Sequence, residues 1–319
     1  MFNYAQAEYE SVPCNFCMGV DVHTLSRTGQ DGLPLHAVMC RNCGLIFINP
    51  RMTREWYFKY YQGEYREKTI EHGTDGRKFN IEAMYKKALS HGERLGKTLR
   101  ENITHPQLIV EVGSSAGGVL KGLQNVLGGQ VLGVEPSEKE ANFAIAHGVK
   151  THVALFENVD QRLLPSCSLV VCTQSLNHLL DPRAFLAWAH DRLETNGILA
   201  LEVVNFRHQL KDAGKFKNAV KIDHPYMFTP EVLCDFVRSA GFEILKCVND
   251  EDLRATDLDK RIISIHTQLI ARKREGKSFS NIIHTPNLYR KNKCDLNPFR
   301  AYYGYLIKKR LPKLFSKNV

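Results

Sequence analysis

Residues 108–127, LIVEVGSSAGGVLKGLQNVL, decide the fold. The opening LIVEV is apolar apart from one acid, as expected of a short strand buried on both faces. AGGVLKGLQNVL reads as a helix, and between the two lies the glycine-rich turn EVGSSAGG, residues 111–118. Glycines there let the backbone turn tightly and come close to a ligand. In an open α/β sheet the ligand sits at the carboxyl ends of the strands, where this turn falls.

The rest of the chain from 107 to 273 continues the alternation. VLGVE is a second strand, and Ser137 after it is an expected N-cap for EKEANFAIAH. GVKTHV and SLVVCTQ follow as strands, PRAFLAWAHDRLETN as a helix with proline at its start, and GILALEVVN as a fifth strand. TPEVLCDFVRSA is a helix closed by Gly241, with FEILKCV and IISIHTQLIAR as the last strands. This order predicts a doubly wound, mostly parallel α/β sheet. Ahead of it, Ile81, Met84, Tyr85, Ala88, Leu95 and Leu99 recur at near-helical spacing.

Glu135 ends the second strand, where a carboxylate is suited to accept hydrogen bonds from two ribose hydroxyls. The glycine order is G-x-S-x-G-G, through Gly113, Ser115, Gly117 and Gly118, and this departs from the dinucleotide fingerprint G-x-G-x-x-G. Glu111, an acid on the strand itself, fits a ligand with an ammonium group, such as S-adenosylmethionine. Residues 107–273 resemble a class I S-adenosylmethionine-dependent methyltransferase, a Rossmann-like fold. LIVEVGSSAGGVL is similar to that family's first motif, with Ser115 for the middle glycine, and VLGVEPS to its acidic motif. SLVVCTQSLNHLLDP is similar to its fourth-strand motif, with Asn177 where glutamate is common, followed by His178. The resemblance implies that Glu111, Gly113, Ser114 and Gly117 surround the methionine part of the cofactor, and that Glu135 and Pro136 hold the ribose side. It further implies that Leu155 and Phe156 flank the adenine and that Gln174 lines the methyl-donor side.

Two Cys-x-x-Cys pairs, Cys14/Cys17 and Cys40/Cys43, precede the sheet. Two such turns present four thiolates to one ion, which predicts a small zinc-ribbon-like domain with a closed, structural zinc site. The competing reading is a set of unmetallated thiols; neither pair lies in the βαβ setting of a redox motif. Cys167, Cys172, Cys234 and Cys247 fall in strand and helix patterns and read as core. A double cysteine knuckle followed by CGLIFINPR and YYQGEYR ahead of a class I domain resembles the zinc-containing sugar methyltransferases, including those acting on nucleotide-linked deoxysugars and others associated with surface polysaccharide synthesis.

The expected organisation is a zinc-binding domain over 1–55, a helical linker or lid over 56–104, the methyltransferase domain over 105–275 and a basic tail over 276–319. His178, at the rim of the fourth strand, and His224, in KIDHPYMFTP, are the candidate general bases. His178 as a mere cap of the next turn is the competing reading. Tyr65, Asn177, Glu202, Asn205 and Tyr226 are the candidate substrate contacts, and Tyr61 with Tyr65 a candidate lid. Glu202 pairing with a neighbour, and the tyrosines serving as packing, are the alternatives.

The net charge of +9 does not by itself point to nucleic acid. Residues 287–319 hold nine Lys/Arg and one acid, so the body is close to neutral and the tail carries the excess. The tail's aromatic and basic residues suit either peripheral contact with an anionic membrane surface or packing of a solvated helix on the body. No apolar N-terminal leader and no 18-residue apolar run stand in the sequence, and with nine cysteines this predicts a cytoplasmic, reduced protein. The expected activity is methyl transfer from S-adenosylmethionine to a sugar. An RNA methyltransferase and a non-catalytic binding module, the latter suggested by Ser115 and Asn177, are the competing readings.

Overall fold

A computed structural model describes residues 4–62, 80–249 and 266–297. The stretch that opened the sequence forms β6 (Leu108–Val112) and α3 (Gly118–Leu127). Around it stand β7 (Gln130–Glu135), β8 (Lys150–Val153), β9 (Cys167–Thr173), β10 (Leu193–Val204), β12 (Phe242–Val248) and β13 (His266–Lys273). The seven strands run in the order β12-β13-β10-β9-β6-β7-β8. Neighbours from β10 to β8 pair in parallel, and β13 runs antiparallel to both β10 and β12.

The strands are apolar on both faces because helices cover both. Val110, Val112, Val170 and Leu199 pack with Phe185, Leu186 and Phe236 of α5 (Pro182–Arg192) and α8 (Pro230–Ser239). Their neighbours Ile109, Leu169, Val171 and Ala200 point the other way, onto α3 and α2 (Ile81–Leu99). This alternation positions the site. Glu111, Thr173 and Glu202 share the parity of Ile109, Val171 and Ala200, so all three acid or hydroxyl side chains face α2 at the carboxyl edge of the sheet.

Helix α2, within the segment expected as a helical linker or lid, packs as part of the sheet's cover. It lies against α3 so closely that a Cβ on Gly92 would stand 2.2 Å from the Val119 carbonyl oxygen, and one on Gly122 2.3 Å from that of Leu89. Asn80 caps it through its side chain. Ser137 holds the N-cap position of α4 (Glu138–Ala146), but its side chain makes no capping bond, and its backbone N–H instead donates to Glu135. The helix expected over 182–196 ends at Arg192, where Leu193 turns extended and joins Cys167 in the sheet; the polar turn through Asn196, at φ 62°, makes the register shift there.

The N-terminal region is built on β2 (Val22–Ser26), β3 (Ala37–Cys40) and β4 (Ile46–Ile48). Its fourth strand is β11 (Tyr226–Met227), which pairs Tyr226 with Phe47 and Met227 with Ile46. The sheet of the region expected as a zinc-binding domain over 1–55 is thus completed by a strand from the methyltransferase part. The cores are also shared, since Cys14, Phe16, Cys40 and Phe47 pack in the same cluster as Val232 and Phe236. Short β1 (Tyr9–Glu10) and β5 (Arg51–Met52) pair beside it, and α1 (Arg54–Gln62) follows. Two helices, α6 (Phe206–Ala213) and α7 (Phe216–Ala219), were not expected from the sequence, nor was α9 (Leu288–Asp295) within the tail. Among the described residues no helix is long and apolar enough to cross a membrane. Tyr65, residues 262–265 of the last expected strand and the tail from 298 onward lie outside the described residues.

Candidate active site

The turn after β6 has the shape its glycines suggest. Gly113 stands at φ 76°, and a Cβ there would meet the Ser175 hydroxyl at 2.3 Å. Ser115, in place of the family's middle glycine, takes the left-handed conformation itself at φ 49°. Its hydroxyl donates to the buried Glu140 at 2.5 Å, and its backbone N–H donates to Glu135 Oε2 at 2.8 Å. The serine thus closes the same turn that glycine would. Gly117, at φ 78°, leads into α3, and Ser114 is buried beside β7, its hydroxyl where a Cβ on Gly133 would fall.

Glu111 is buried; Thr173 Oγ1 donates to its Oε1 at 2.6 Å, and its Oε2 has no partner among the described residues. Burial pushes its pKa up to about 8, with Glu135 and Glu202 adding to the rise and the Thr173 bond opposing it. A buried carboxyl with one oxygen unused, beside a glycine turn that admits no side chain, fits an ammonium-bearing ligand. Glu135 is the better satisfied acid: Ser137 N–H donates to Oε1 and Ser115 N–H to Oε2, both at 2.8 Å. A carboxylate so placed at the end of β7 is of the kind that accepts hydrogen bonds from ribose hydroxyls. The Pro136 carbonyl accepts from Gln62 Nε2 at 2.6 Å, so the end of α1 reaches this edge.

The ring of Phe156, expected beside the adenine, is turned into the core. It is buried edge-on to Phe185 and Trp188, at 5.6 and 5.3 Å, because the turn at Leu155 directs it into the core. Leu155 is buried next to it. Gln174, at φ 55°, donates from its backbone to the Glu202 carbonyl and from Nε2 to Glu202 Oε1 at 3.1 Å. His91, on α2, meets the other Glu202 oxygen at 2.9 Å. Burial opposes ionisation of Glu202, but His91, His266 and Gln174 outweigh it and hold the carboxyl below the usual range. The alternative reading of Glu202, pairing with a neighbour, is what this geometry carries. His91 was missed because it sits outside the alternating sheet segment, and only the α2–α3 contact brings it there.

On the acceptor side, His178 and His224 come together with rings edge to face at 4.7 Å. Asp223 lies between them, its Oδ2 at 4.0 Å from His178 Nδ1 and 3.9 Å from His224 Nε2. The Tyr61 hydroxyl is 3.2 Å from His178 Nδ1, so α1 crosses from Pro136 to this rim. Burial pushes the His224 pKa down to about 3. Burial works to raise Asp223, yet the imidazoles of His224 and His178 and the Lys221 ammonium hold it below its usual value. Asn177 is buried, and neither its amide oxygen nor its nitrogen has a partner among the described residues.

Two expected substrate contacts have other work. Asn205 Oδ1 caps α6, accepting from the N–H groups of Arg207 and His208, because the chain leaves β10 directly into that helix. The Tyr226 hydroxyl donates to the Leu180 carbonyl and accepts from Arg51 Nη1, and its ring is buried in the small sheet.

The four N-terminal sulfurs lie within 4.8 Å of one another, with Cys14 and Cys43 at 3.4 Å and Cys17 and Cys40 at 3.5 Å. The two knuckles are alike: Met18 N–H donates to the Cys14 carbonyl and Gly44 N–H to that of Cys40, each residue at positive φ. Four thiols so gathered, and unpaired as disulfides, fit a tetrahedral zinc ion. The knuckle also grips the acceptor rim. Asn15 Nδ2 donates to Asp181, Arg183 Nη1 to the Phe16 carbonyl, and Arg51 Nη1 to that of Leu180.

A parallel sheet with one antiparallel strand near its edge, an acid-ended β7 and a glycine turn after β6 define the class I, S-adenosylmethionine-dependent methyltransferase fold. Residues 82–246, just over half of the chain, match the family described as methyltransferase domain; the chain belongs to that family and is a methyltransferase. The match begins at α2, in accord with its packing. A stretch of 103 residues is 28% identical to the ubiquinone biosynthesis O-methyltransferase of Bradyrhizobium diazoefficiens, covering 30% of this chain and 40% of that protein. The magnesium protoporphyrin IX methyltransferase of Synechocystis PCC 6803, solved with S-adenosylhomocysteine, superposes with a TM-score of 0.50 at 14% identity, over 70% of this chain and all of that one. A methyltransferase from Mesorhizobium loti aligns at 17% identity and a TM-score of 0.44, over 58% of this chain and all of that one. At 14% identity the likeness to the Synechocystis enzyme speaks to the fold alone.

Proposed function

We propose that this methyltransferase transfers a methyl group from S-adenosylmethionine to a sugar, free as a nucleotide conjugate or within a glycan, with a histidine of the rim serving the acceptor's proton. The observation that carries the reading is the partly buried polar rim: His178, Asp223, His224, Tyr61 and the unpartnered amide of Asn177. Such a wall suits an acceptor rich in hydroxyls, since each buried polar group left unmatched would cost binding energy.

The cofactor, when bound, supplies an electrophilic methyl on a sulfonium. Glu111 receives its ammonium group, the Gly113–Gly117 turn lets the backbone approach, and Glu135 accepts the ribose hydroxyls. His178, flanked by the Asp223 carboxylate, is the better base of the two histidines, because burial leaves His224 a weak one. His224 then orients the acceptor by hydrogen bonding. Zinc in the Cys14–Cys17–Cys40–Cys43 site has no open position and stabilises the knuckle that grips Leu180, Asp181 and Arg183.

The near-neutral body argues against the RNA reading. Ser115 no longer supports a non-catalytic module, because it adopts the turn conformation that glycine would. The test is to incubate the protein with S-adenosylmethionine and either a panel of nucleotide sugars or structured RNA, and to follow product masses. A one-methyl gain on a sugar is the expected result; methylated RNA with no sugar product overturns the reading.

A further inference from the structure

Among the described residues, the four-cysteine set is matched by a second group of possible ligands: His178, Asp223 and His224, with one ligand atom from each within 4.8 Å of the others. We propose that these three side chains hold a divalent cation of the zinc or manganese type in the acceptor site. The carboxylate oxygen stands 4.0 Å from one imidazole nitrogen and 3.9 Å from the other. Both separations are too long for a hydrogen bond. They suit two donors of one ion, because nitrogen and oxygen ligands lie about 2.0–2.2 Å from such a metal.

The side chains are sequestered, with exposures of 16%, 13% and 9% for His178, Asp223 and His224. They come from two separate segments that converge at the rim. A lone solvated acid cluster lacks that convergence, and its members are free to turn away. The donor set is imidazole and carboxylate, harder than the four thiolates of the knuckle, so the two sites would select different ions. Three protein donors also leave a coordination position open, unlike the closed set of four thiolates. The Tyr61 hydroxyl, on α1, lies 3.2 Å from His178 Nδ1, so an ion bound through that nitrogen would displace this contact.

The role of the cation rests on the acceptor reading above, and deepens it. With the ion in place, His178 is a ligand and no longer the base. An acceptor hydroxyl in the open position becomes more acidic through the metal's charge and gives its proton to solvent as the oxygen takes the methyl. The acceptor class this favours is one presenting a hydroxyl, alone or with a neighbour able to chelate.

The test uses the full chain with the zinc content of its knuckle verified, titrated with Mn2+ alone and read by electron paramagnetic resonance. One equivalent of Mn2+ is expected to bind, at least about tenfold more weakly in Asp223→Asn and in His224→Ala. Pulsed resonance on the wild-type protein should show nitrogen couplings from two imidazoles, a readout that does not depend on the variants folding. Absence of saturable binding, or of both couplings, overturns the proposal. Calorimetry with S-adenosylhomocysteine and the sugar assay report on the broader reading separately. Sugar methylation without Mn2+ binding leaves the function standing and removes the cation; Mn2+ binding without sugar methylation does the reverse.

Discussion

Burial holds the Glu111 carboxyl at about 8, so the folded, ligand-free protein keeps a proton there that an unfolded chain gives up at about 4.3. Between those values the unfolded state binds fewer protons, and rising pH therefore lowers the stability of the ligand-free protein. The same rise favours a cationic ligand, which needs the ionised form. S-adenosylhomocysteine should bind more tightly as pH rises from about 6 to about 8 and release a proton as it does so, measurable by calorimetry in buffers of different ionisation enthalpy. Glu111→Gln should abolish that proton release. At the acceptor rim, His178→Gln should lower kcat by about 10²–10³-fold while S-adenosylhomocysteine affinity stays within about twofold. The positions of Glu111 and His178 at the carboxyl edge were legible in the sequence because motif spacing ties each to the end of a strand. Asp223 and His91 were not, since nothing local marks an acid or a histidine that reaches the edge only through tertiary packing. Asn205 and Tyr226 misled for the same reason: a strand-end Asn next to a helix start is as good a cap as a ligand, and Tyr226 belongs to a strand too short to leave a pattern.

At the level of elements, strand and helix order in the methyltransferase part could be read almost throughout, because doubly covered strands form continuous apolar runs. The helix α2 showed its periodicity but not its allegiance. Its close seat on α3 depends on Gly92 and Gly122, where a side chain would run into the opposing backbone. Gly92→Ala should therefore cost about 1–3 kcal/mol, since the contact at 2.2 Å is with a carbonyl that cannot swing aside. A thermal melt would show it as a lower midpoint. The His91–Glu202 contact should loosen with it, because His91 immediately precedes the glycine.

For the whole molecule, the four-cysteine knuckle is a clamp on the segment that follows His178, through Asn15, Phe16 and Arg51. Stripping zinc with a chelator should lower the melting midpoint, as loss of any ligand bound only by the folded state must. It should also reduce kcat more than it weakens S-adenosylhomocysteine binding, because Glu111 and Glu135 lie away from the clamp. Equal losses in both would show that the clamp supports the entire fold without favouring the rim. The pairing of β11 with β4 has a further consequence for how the protein comes into being. On the ribosome the N-terminal strands emerge early, yet the edge of β4 finds its partner only once Tyr226 and Met227 have been synthesised. Until then that edge, with Ile46, Phe47 and Ile48 beside it, is open to wrong pairing. The gene accordingly resists being cut between its two halves: each piece, expressed alone, carries one side of an unfinished sheet.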